Sequence, residues 1–304
     1  MNKIYDMIVI GGGPGGYTAA LYAARAGLQV ALVEKLSAGG QMALTTQVDN
    51  YPGFAEGVDG FELAEQMQIQ AERFGVETVL AEVLSLQLQG EIKTVETTEG
   101  ILHGKTVAFS TGANPRKLGL PGEWELVGKG VNYCASCDGM FYKGKTVVVV
   151  GGGNTAAADA LQLSRIAKKV ILVHRRDTLR ATKIYHESLF QAPNVELRWN
   201  SEVTELLYKE KLSGVVITDV NTLEKTQIDC DGIFVSVGRI PVTELVAQQL
   251  ELDSAGYIVA DESTRTNLPG VFAVGDVRTK ALRQIVTAVA DGANAAHYAQ
   301  EYLG

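Results

Sequence analysis

The chain has 304 residues, 46% hydrophobic and 20% charged, enough to build cores for two domains of moderate size. Its formal charge of −8 comes without a clustered basic stripe, which argues against a nucleic-acid ligand. No apolar run approaches the roughly 20 residues that span a bilayer, and the amino terminus lacks the apolar segment of a secretory signal. The composition therefore predicts a cytoplasmic protein that binds no membrane.

The first motif is a glycine-rich turn between a predicted strand and a predicted helix. An apolar run, Met7–Ile10, precedes Gly-Gly-Gly-Pro-Gly-Gly, and a stretch of small residues typical of a helix follows from Tyr17. In a dinucleotide-binding turn, Gly11 makes the bend, Gly13 lets the backbone approach a pyrophosphate and Gly16 lets helix and strand pack closely. The amino terminus of the helix then faces the anion.

An acidic residue follows at the position that this interpretation requires. The predicted strand Leu28–Val33 leads to Glu34, which lies 21 residues after Gly13. A carboxylate there can accept hydrogen bonds from an adenosine ribose. A strand-end acid in solvent is the alternative, but the accompanying strand, turn and helix favour a first nucleotide-binding unit.

The cysteines come next in the chain. Three cysteines are too few for a disulfide framework, and Cys134 and Cys137 form a Cys-x-x-Cys pair, which is catalytic or metal-binding more often than structural. Zinc is the competing interpretation, but the third cysteine, Cys230, and the four histidines lack finger-like spacing, so no metal is expected. The pair is therefore predicted to be a redox-active disulfide. The adjacent Asp138 either protonates a departing thiolate or caps a helix.

The glycine pattern then recurs with one substitution. Lys145–Val150 is a predicted strand, Gly-Gly-Gly-Asn-Thr-Ala forms the turn, and a helix is predicted from Ala157 to Ile166. His174 stands 21 residues after Gly153, where the first unit has its acid. Guanidinium groups bind a ribose 2′-phosphate that a carboxylate would repel, so this unit is predicted to prefer NADPH to NADH. A solvated basic helix start is the alternative. The candidate contacts are Gly151, Gly153, Asn154, Thr155, His174, Arg175, Arg176 and Arg180.

The last segment indicates how the two units are connected. A strand leading to Gly275 and Asp276, and a helical stretch Leu282–Tyr302, are too short for a domain and must pack on the first unit. The predicted fold is α/β with two Rossmann-like dinucleotide-binding domains, the NADPH domain being inserted into the first. Residues 1–113 and 242–304 are assigned to the outer domain and residues 114–241 to the NADPH domain, with connections near 112–116 and 239–243.

Taken together and in this order, the motifs resemble the low-molecular-weight thioredoxin reductases of bacteria, from Ile8 to about Tyr302. Further segments that carry the resemblance are Gly39-Gly40-Gln41, Asn50-Tyr-Pro-Gly53, Thr111-Gly112-Ala113, Gly275-Asp276 and Arg283-Gln284. Ser136 stands where threonine is usual in that family, and Ala157 and Ala158 replace bulkier or acidic residues. The arginines are unaffected by these departures.

The resemblance implies a flavoprotein mechanism. Hydride would pass from NADPH to FAD, electrons would pass to the Cys134–Cys137 disulfide, and the dithiol would then exchange with thioredoxin or a similar small redoxin. It also implies that the outer domain, residues 1–113 and 242–304, is the FAD domain, that the protein is a homodimer, and that the inserted domain rotates about its two connections. The residues that it places near the flavin and ribityl chain are Gly40, Gln41, Asn50, Asp276, Arg283 and Gln284.

Three other functions use part of the same motif set. A reductase of another small redoxin or of a peroxidase would use identical residues up to the last exchange. A non-enzymatic dinucleotide sensor would need only the two nucleotide-binding units, and a ferredoxin-type NADP reductase would have no use for the cysteine pair. The Cys-x-x-Cys-Asp motif argues against the last two.

Overall fold

The computed structural model describes residues 3–45 and 47–304, which divide into two compact units. The first unit comprises the residues up to Asn114 together with Ile240–Gly304, and the second, Pro115–Arg239, is inserted into it. Helices in the described part of the chain are too short or too polar to cross a bilayer.

Strands and helices alternate at the start of each unit, and strands predominate after that. The first segment contains β1 (Ile4–Ile10), α1 (Pro14–Arg25), β2 (Val30–Glu34), α2 (Gly60–Glu72), β3 (Glu77–Leu80), β4 (Val83–Gln87), β5 (Lys93–Thr97), β6 (Gly100–Phe109) and β7 (Ala113–Pro115). The inserted segment contains β8 (Val131–Asn132), α3 (Ala135–Asp138), β9 (Thr146–Val150), α4 (Asn154–Ser164), β10 (Lys169–Val173), α5 (Ile184–Gln191), β11 (Val195–Arg198), β12 (Ser201–Tyr208), β13 (Leu212–Asp219), β14 (Lys225–Asp229) and β15 (Gly232–Val235). The chain continues with β16 (Arg239–Pro241), β17 (Val271–Ala273) and α6 (Ile285–Leu303). Short 3-10 helices span Met42–Leu44, Gly139–Tyr142 and Gly275–Val277.

The first unit is built on a sheet whose parallel core has the order β3-β2-β1-β6-β17. The strands β4 and β5 add an antiparallel extension to the first half of β6. Helices α1, α2 and α6 cover one face of the sheet, and a second apolar cluster that includes Val246, Leu250 and Ile258 covers the other. Because both faces are covered, the parallel strands are apolar along most of their length.

The second unit repeats this plan. Its parallel sheet has the order β11-β10-β9-β15-β8, with α4 following β9 as α1 follows β1. An antiparallel meander, β12-β13-β14, completes the unit. The predicted α/β class and the internal repeat are therefore confirmed. In both units the glycine turns lie at the carboxyl ends of parallel strands, the edge where such sheets bind ligands.

Helix starts are the main difference between the sequence-based elements and the structure. Helices α1 and α4 begin at Pro14 and Asn154, three residues before the predicted starts, because the extended backbone of Gly13 and Gly153 serves as the amino-terminal cap. Proline is favoured at the first helical position because its missing N–H would be unpaired there. The last helix begins at Ile285 rather than Leu282, because Gln284 is extended and caps it.

Candidate functional site

The glycine turn of the first unit has no room for side chains at two of its positions. Gly11 has a φ of +103°, and a Cβ there would overlap the Ser110 carbonyl at the end of the neighbouring strand β6. A Cβ on Gly16 would overlap the carbonyl of Gly11. These contacts bring α1 directly against the end of β1, in agreement with the roles expected for the two glycines.

At Gly13 the turn has room for a side chain, in contrast to Gly11 and Gly16. A Cβ at Gly13 would meet nothing within 4 Å among the described residues. No side chain of the described residues caps the amino terminus of α1, so its first N–H groups are available to an anion. Gly153 and α4 show the same two features in the second unit. Each turn therefore leaves room for a ligand next to the first N–H groups of a helix, a setting that favours an anion.

Glu34 closes the first turn. Its Oε2 accepts the backbone N–H of Gly12 at 2.7 Å, and its Oε1 accepts those of Lys35 and Leu36 at 2.8 and 3.1 Å. The carboxylate is thereby fixed at the carboxyl end of β2, directly against the glycine turn. Its role as a ribose ligand stays a prediction.

Three other candidate residues of the first unit take part in two hydrogen bonds between amide side chains. Asn50 Nδ2 donates to Gln284 Oε1 at 3.0 Å, although the two residues are 234 positions apart. Gln41 Nε2 donates to Asn114 Oδ1 at 3.2 Å, and Gly40 beside it has a φ of +53°. These amide side chains offer both donors and acceptors to a polar ligand.

Asp276 lies after β17, in the short helix Gly275–Val277, at the same edge of the sheet. Arg283 is turned toward the backbone of this segment. Its guanidinium donates to the carbonyls of Asp276, Lys280 and Arg278 at 3.3, 3.2 and 3.0 Å. In this structure Arg283 therefore contributes by holding the segment that carries Asp276.

The second unit places an imidazole where the first has a carboxylate. A Cβ on Gly152 would overlap the His174 ring, whereas one on the equivalent Gly12 would lie 3.0 Å from Glu34 Oε2. His174 is buried, and its Nε2 lacks a hydrogen-bond partner among the described residues. Burial and the charges of the nearby arginines, chiefly Arg180, hold the pKa of His174 below its ordinary 6.5. The ring is therefore neutral at neutral pH.

The three arginines surround the end of this turn. The backbone N–H groups of Arg180 and Ala181 both donate to the Gly152 carbonyl, at 2.7 and 3.0 Å, which fixes Arg180 beside the glycines. Arg175 and Arg176 are exposed, and Arg175 is 3.8 Å from Glu202. Asn154 Oδ1 accepts the N–H of Thr182 at 2.8 Å, while Thr155 is exposed in the first turn of α4. The arrangement is a cationic rim around a neutral imidazole.

Cys134 and Cys137 form a disulfide at the start of the short helix α3. Cys134 is the amino-terminal cap, and its Sγ accepts the N–H of Cys137 at 3.2 Å. Gln162 of α4 holds the turn, accepting from Ser136 Oγ at 3.0 Å and donating to the carbonyl of Ala135 at 3.4 Å.

Asp138 follows the pair directly, at the end of α3. Burial raises the pKa of its carboxyl group from 3.8 to about 6. It precedes the 3-10 helix Gly139–Tyr142, but its side chain makes no capping hydrogen bond to the described residues there. A carboxyl group with this pKa next to a disulfide can hold and release a proton near neutral pH, which favours the proton-transfer interpretation over the cap.

Two interactions near the site were not anticipated from the sequence. Ser236 Oγ donates to Asp159 Oδ2 at 2.5 Å, at the end of the strand that packs against Gly151, and burial raises the pKa of Asp159. The only signal in the sequence was an acid within the alanine-rich helix α4. The second is Glu123, which is buried and accepts the N–H groups of residues 118–120 and the Tyr133 hydroxyl, next to Cys134. No local sequence pattern predicts the hydrogen bonds of Glu123.

Comparisons with known proteins agree with this chemistry. The family model for pyridine nucleotide-disulphide oxidoreductases matches residues 5–292. The thioredoxin reductase of Streptomyces clavuligerus is 48% identical, over 100% of this chain and 95% of that protein. The thioredoxin reductase of Treponema pallidum is 43% identical, over 100% and 98% of the two chains.

Solved structures give the same result at the level of the fold. The crystal structure of thioredoxin reductase from Streptococcus pyogenes superposes with a TM-score of 0.93 at 44% identity. The match covers 100% of this chain and 99% of that one. The similarity therefore includes both units and the connections between them.

Proposed function

Because the chain belongs to the pyridine nucleotide-disulphide oxidoreductase family, and within it to the thioredoxin reductases, we propose that it reduces oxidised thioredoxin with electrons from NADPH and a bound FAD. The observation that carries the proposal is the Cys134–Cys137 disulfide, which lies beside the half-buried Asp138. The same unit carries the arginine-rimmed nucleotide turn.

FAD is assigned to the first unit. The open face of Gly13 and the uncapped start of α1 suit a pyrophosphate, and Glu34 suits the adenosine ribose. Gln41, Asn50, Gln284 and Asp276 supply polar groups for the ribityl chain and flavin. Bound FAD supplies a carrier that accepts a hydride from NADPH and passes two electrons to a disulfide, chemistry that amino-acid side chains do not provide.

NADPH is assigned to the second unit. A neutral His174 does not repel a 2′-phosphate, and the guanidinium groups of Arg175, Arg176 and Arg180 can bind it in fork geometry. In the first unit Glu34 would repel the same phosphate. Each turn thus selects its nucleotide by the charge at one equivalent position.

The sulfur chemistry is carried out by the cysteine pair and its neighbour. Two electrons and two protons convert the Cys134–Cys137 disulfide to a dithiol, and Asp138 donates a proton to the sulfur that leaves first. One cysteine of the dithiol then attacks the disulfide of the partner protein, whose released thiolate takes up a proton. The second cysteine attacks the mixed disulfide, which releases the partner as a dithiol and re-forms Cys134–Cys137.

Exposed apolar side chains favour protein partners at two places. Met140 and Phe141 are 60% and 47% exposed immediately after Asp138, which suits a small redoxin that docks over the disulfide. On the outer faces of α1 and α2, Tyr22, Phe61 and Ile69 are also exposed, which suits a homodimer. We assign the enzyme to the cytoplasm because its cysteine pair must cycle through a dithiol.

The chain crosses between the units twice, next to Gly112 and Gly238. The two residues have φ values of +71° and +110°, and the short strands β7 and β16 pair at the crossings. The nicotinamide and the disulfide would both be carried by the second unit and would both need the flavin held by the first. A turn of the second unit about these crossings between the two half-reactions would meet that need.

The test is NADPH oxidation by the purified yellow protein in the presence of thioredoxin, of another small redoxin or of a peroxidase. Thioredoxin should be reduced fastest, and faster reduction of either alternative would contradict the assigned substrate. Cys134→Ser and Cys137→Ser should keep flavin reduction by NADPH and lose thioredoxin reduction, since the half-reactions use different sites. Cys230→Ser, at a buried cysteine outside the pair, is the matched control and should retain both activities.

A further inference from the structure

Asp291 is a charged residue on the buried face of α6, which otherwise consists of alanine and glycine. Its carboxylate accepts four hydrogen bonds. Oδ2 accepts from the backbone N–H of Gly275 at 2.9 Å, from Arg278 Nε at 3.0 Å and from Lys280 Nζ at 2.7 Å, and Oδ1 accepts from Arg278 Nη2 at 2.7 Å. All four donors belong to one short segment, residues 275–280, which contains Asp276.

The cations of this cluster are as buried as the anion. The side chains of Arg278 and Lys280 are 2% and 5% exposed, against 3% for Asp291. Arg278 also donates to the carbonyls of Ala260 and Thr279, at 3.2 and 2.9 Å. Buried charges are tolerated only where their hydrogen bonds are satisfied, and removal of one partner leaves the others uncompensated. The cluster therefore has one favourable arrangement, which fixes the segment to α6.

Arg283 binds the backbone carbonyl groups of the same segment. It donates to the carbonyls of Asp276, Arg278 and Lys280, and its guanidinium lies 4.0 Å from the centre of the Tyr257 ring. Asp291 thus accepts from one backbone amide and two side chains of residues 275–280, while Arg283 donates to three of their carbonyls. Two charged side chains of opposite sign therefore bind this short segment.

The next residue of α6 contacts the other end of the candidate cofactor site. A Cβ on Gly292 would overlap the Gly15 carbonyl and lie 2.8 Å from the Ala19 nitrogen. A Cβ on Gly15 would lie 3.0 Å from the carbonyl of Ala288. The helices α6 and α1 are therefore in backbone contact at the first turn of α1. Adjacent residues of α6, Asp291 and Gly292, hold Gly275 and Gly15 respectively.

We propose that Asp291 is a positioning residue for FAD, which sets the distance between the pyrophosphate turn at the start of α1 and the Gly275–Asp276 segment. The proposal rests on the assignment of FAD to the first unit. Both segments contact α6, and the direct contact between them is apolar, since a Cβ on Gly15 would lie 2.7 Å from Val274 Cγ1. Loss of the Asp291 carboxylate releases the Asp276 segment while the pyrophosphate turn stays in place.

The test measures FAD release from the holoenzyme by the rise in flavin fluorescence. Asp291→Asn removes the charge, and the triple variant Asp291→Leu, Arg278→Leu, Lys280→Met replaces the ionic cluster by apolar side chains that need no partners. Both should release FAD at least tenfold faster than the native protein. Glu301→Gln, which removes the exposed carboxylate of α6 that pairs with Arg265, is the matched control and should stay within twofold.

A second readout separates positioning from stability. In urea, the Asp291 variants should lose FAD at concentrations where the far-ultraviolet circular dichroism and NADPH binding by the second unit are still native. FAD release that coincides with unfolding, or a native release rate in the folded triple variant, would overturn the proposal.

If either Asp291 variant fails to fold, Lys280→Met is used instead, because it keeps the Asp291–Arg278 pair. FAD release at least twofold faster than in the native protein supports the positioning role of Asp291, and a native release rate contradicts it. A native protein that binds no FAD would overturn the proposed function and this proposal with it.

Discussion

The imidazole of His174 occupies the space into which a side chain at Gly152 would project. Because the ring is 5% exposed, it cannot move away without disturbing the packing at the end of β10. We therefore expect Gly152→Ala to displace His174 toward the arginines and to raise the Kd for NADPH at least tenfold. Titration with NADPH measures this effect. Gly12→Ala, the equivalent change in the first unit, should leave NADPH affinity native, and an unchanged Kd in Gly152→Ala would contradict the assignment.

The open glycines of the two turns allow a reciprocal test. Gly13 and Gly153 have φ values of −75° and −91°, which alanine adopts without strain, and a Cβ there meets no protein atom within 4 Å in the described structure. Gly13→Ala should therefore fold normally but lower FAD affinity at least tenfold, while Gly153→Ala should do the same for NADPH. Thermal unfolding and two separate titrations check this. If each variant affects the other cofactor instead, the assignment of cofactors to units is wrong.

Nucleotide preference should depend on the exposed arginines. The native enzyme should have a higher kcat/KM with NADPH than with NADH, and Arg175→Ala with Arg176→Ala should remove most of the difference. Each charge-assisted hydrogen bond to the 2′-phosphate is worth about 1.5–3 kcal/mol before exposure is allowed for, or roughly tenfold per contact. Lys169→Met, at the opposite end of β10, is the control. Equal use of both nucleotides by the native enzyme would contradict the prediction.

Asp138 should make stability depend on pH in a defined direction. Its folded pKa, about 6, is above the ordinary 3.8, so the folded state keeps a proton that the unfolded state has lost. The stability of the oxidised protein should therefore fall as pH rises from about 4 to about 6, by at most about 3 kcal/mol, and this contribution should then stay level.

Asp138→Asn should abolish that slope and also slow disulfide reduction, by roughly 100-fold, because it cannot deliver a proton. Urea unfolding at about pH 4.5 and pH 7.5, with redoxin reduction assays, measures both effects. Asp229→Asn, an exposed acid of the same unit, should change neither. A variant at Asp138 that keeps both the native slope and the native rate would remove this residue from the mechanism.

The glycines at the two crossings should matter for turnover and not for binding. Gly112→Ala and Gly238→Ala each place a side chain at a residue with positive φ. The resulting strain of about 1–3 kcal/mol destabilises the backbone conformation that the chain has at the crossings. We expect native affinity for FAD and NADPH but at least a fivefold lower kcat. Gly75→Ala, at φ +89° between α2 and β3, carries the same strain away from the crossings and should keep the native kcat. Native turnover in both crossing variants would refute a hinge that requires these glycines.

The sequence alone determined the features that are encoded within about 30 consecutive residues. A strand, a glycine turn and a helix form one local unit, so the spacing of Gly13 from Glu34 and of Gly153 from His174 was enough to predict two such units. The cysteine pair and the positions of the arginines were equally local. The helix starts were misplaced by three residues because a glycine cap leaves no side-chain signal.

Only the tertiary structure decided the interactions between residues far apart in the chain. Asp159 meets Ser236 across 77 residues, and Asp291 meets Gly275 because α6 folds back along the carboxyl end of β17. The pKa of Asp138 likewise depends on burial, which no local pattern specifies. Charge and spacing are properties of the sequence, whereas desolvation and long-range hydrogen bonds exist only once packing has excluded water from the site.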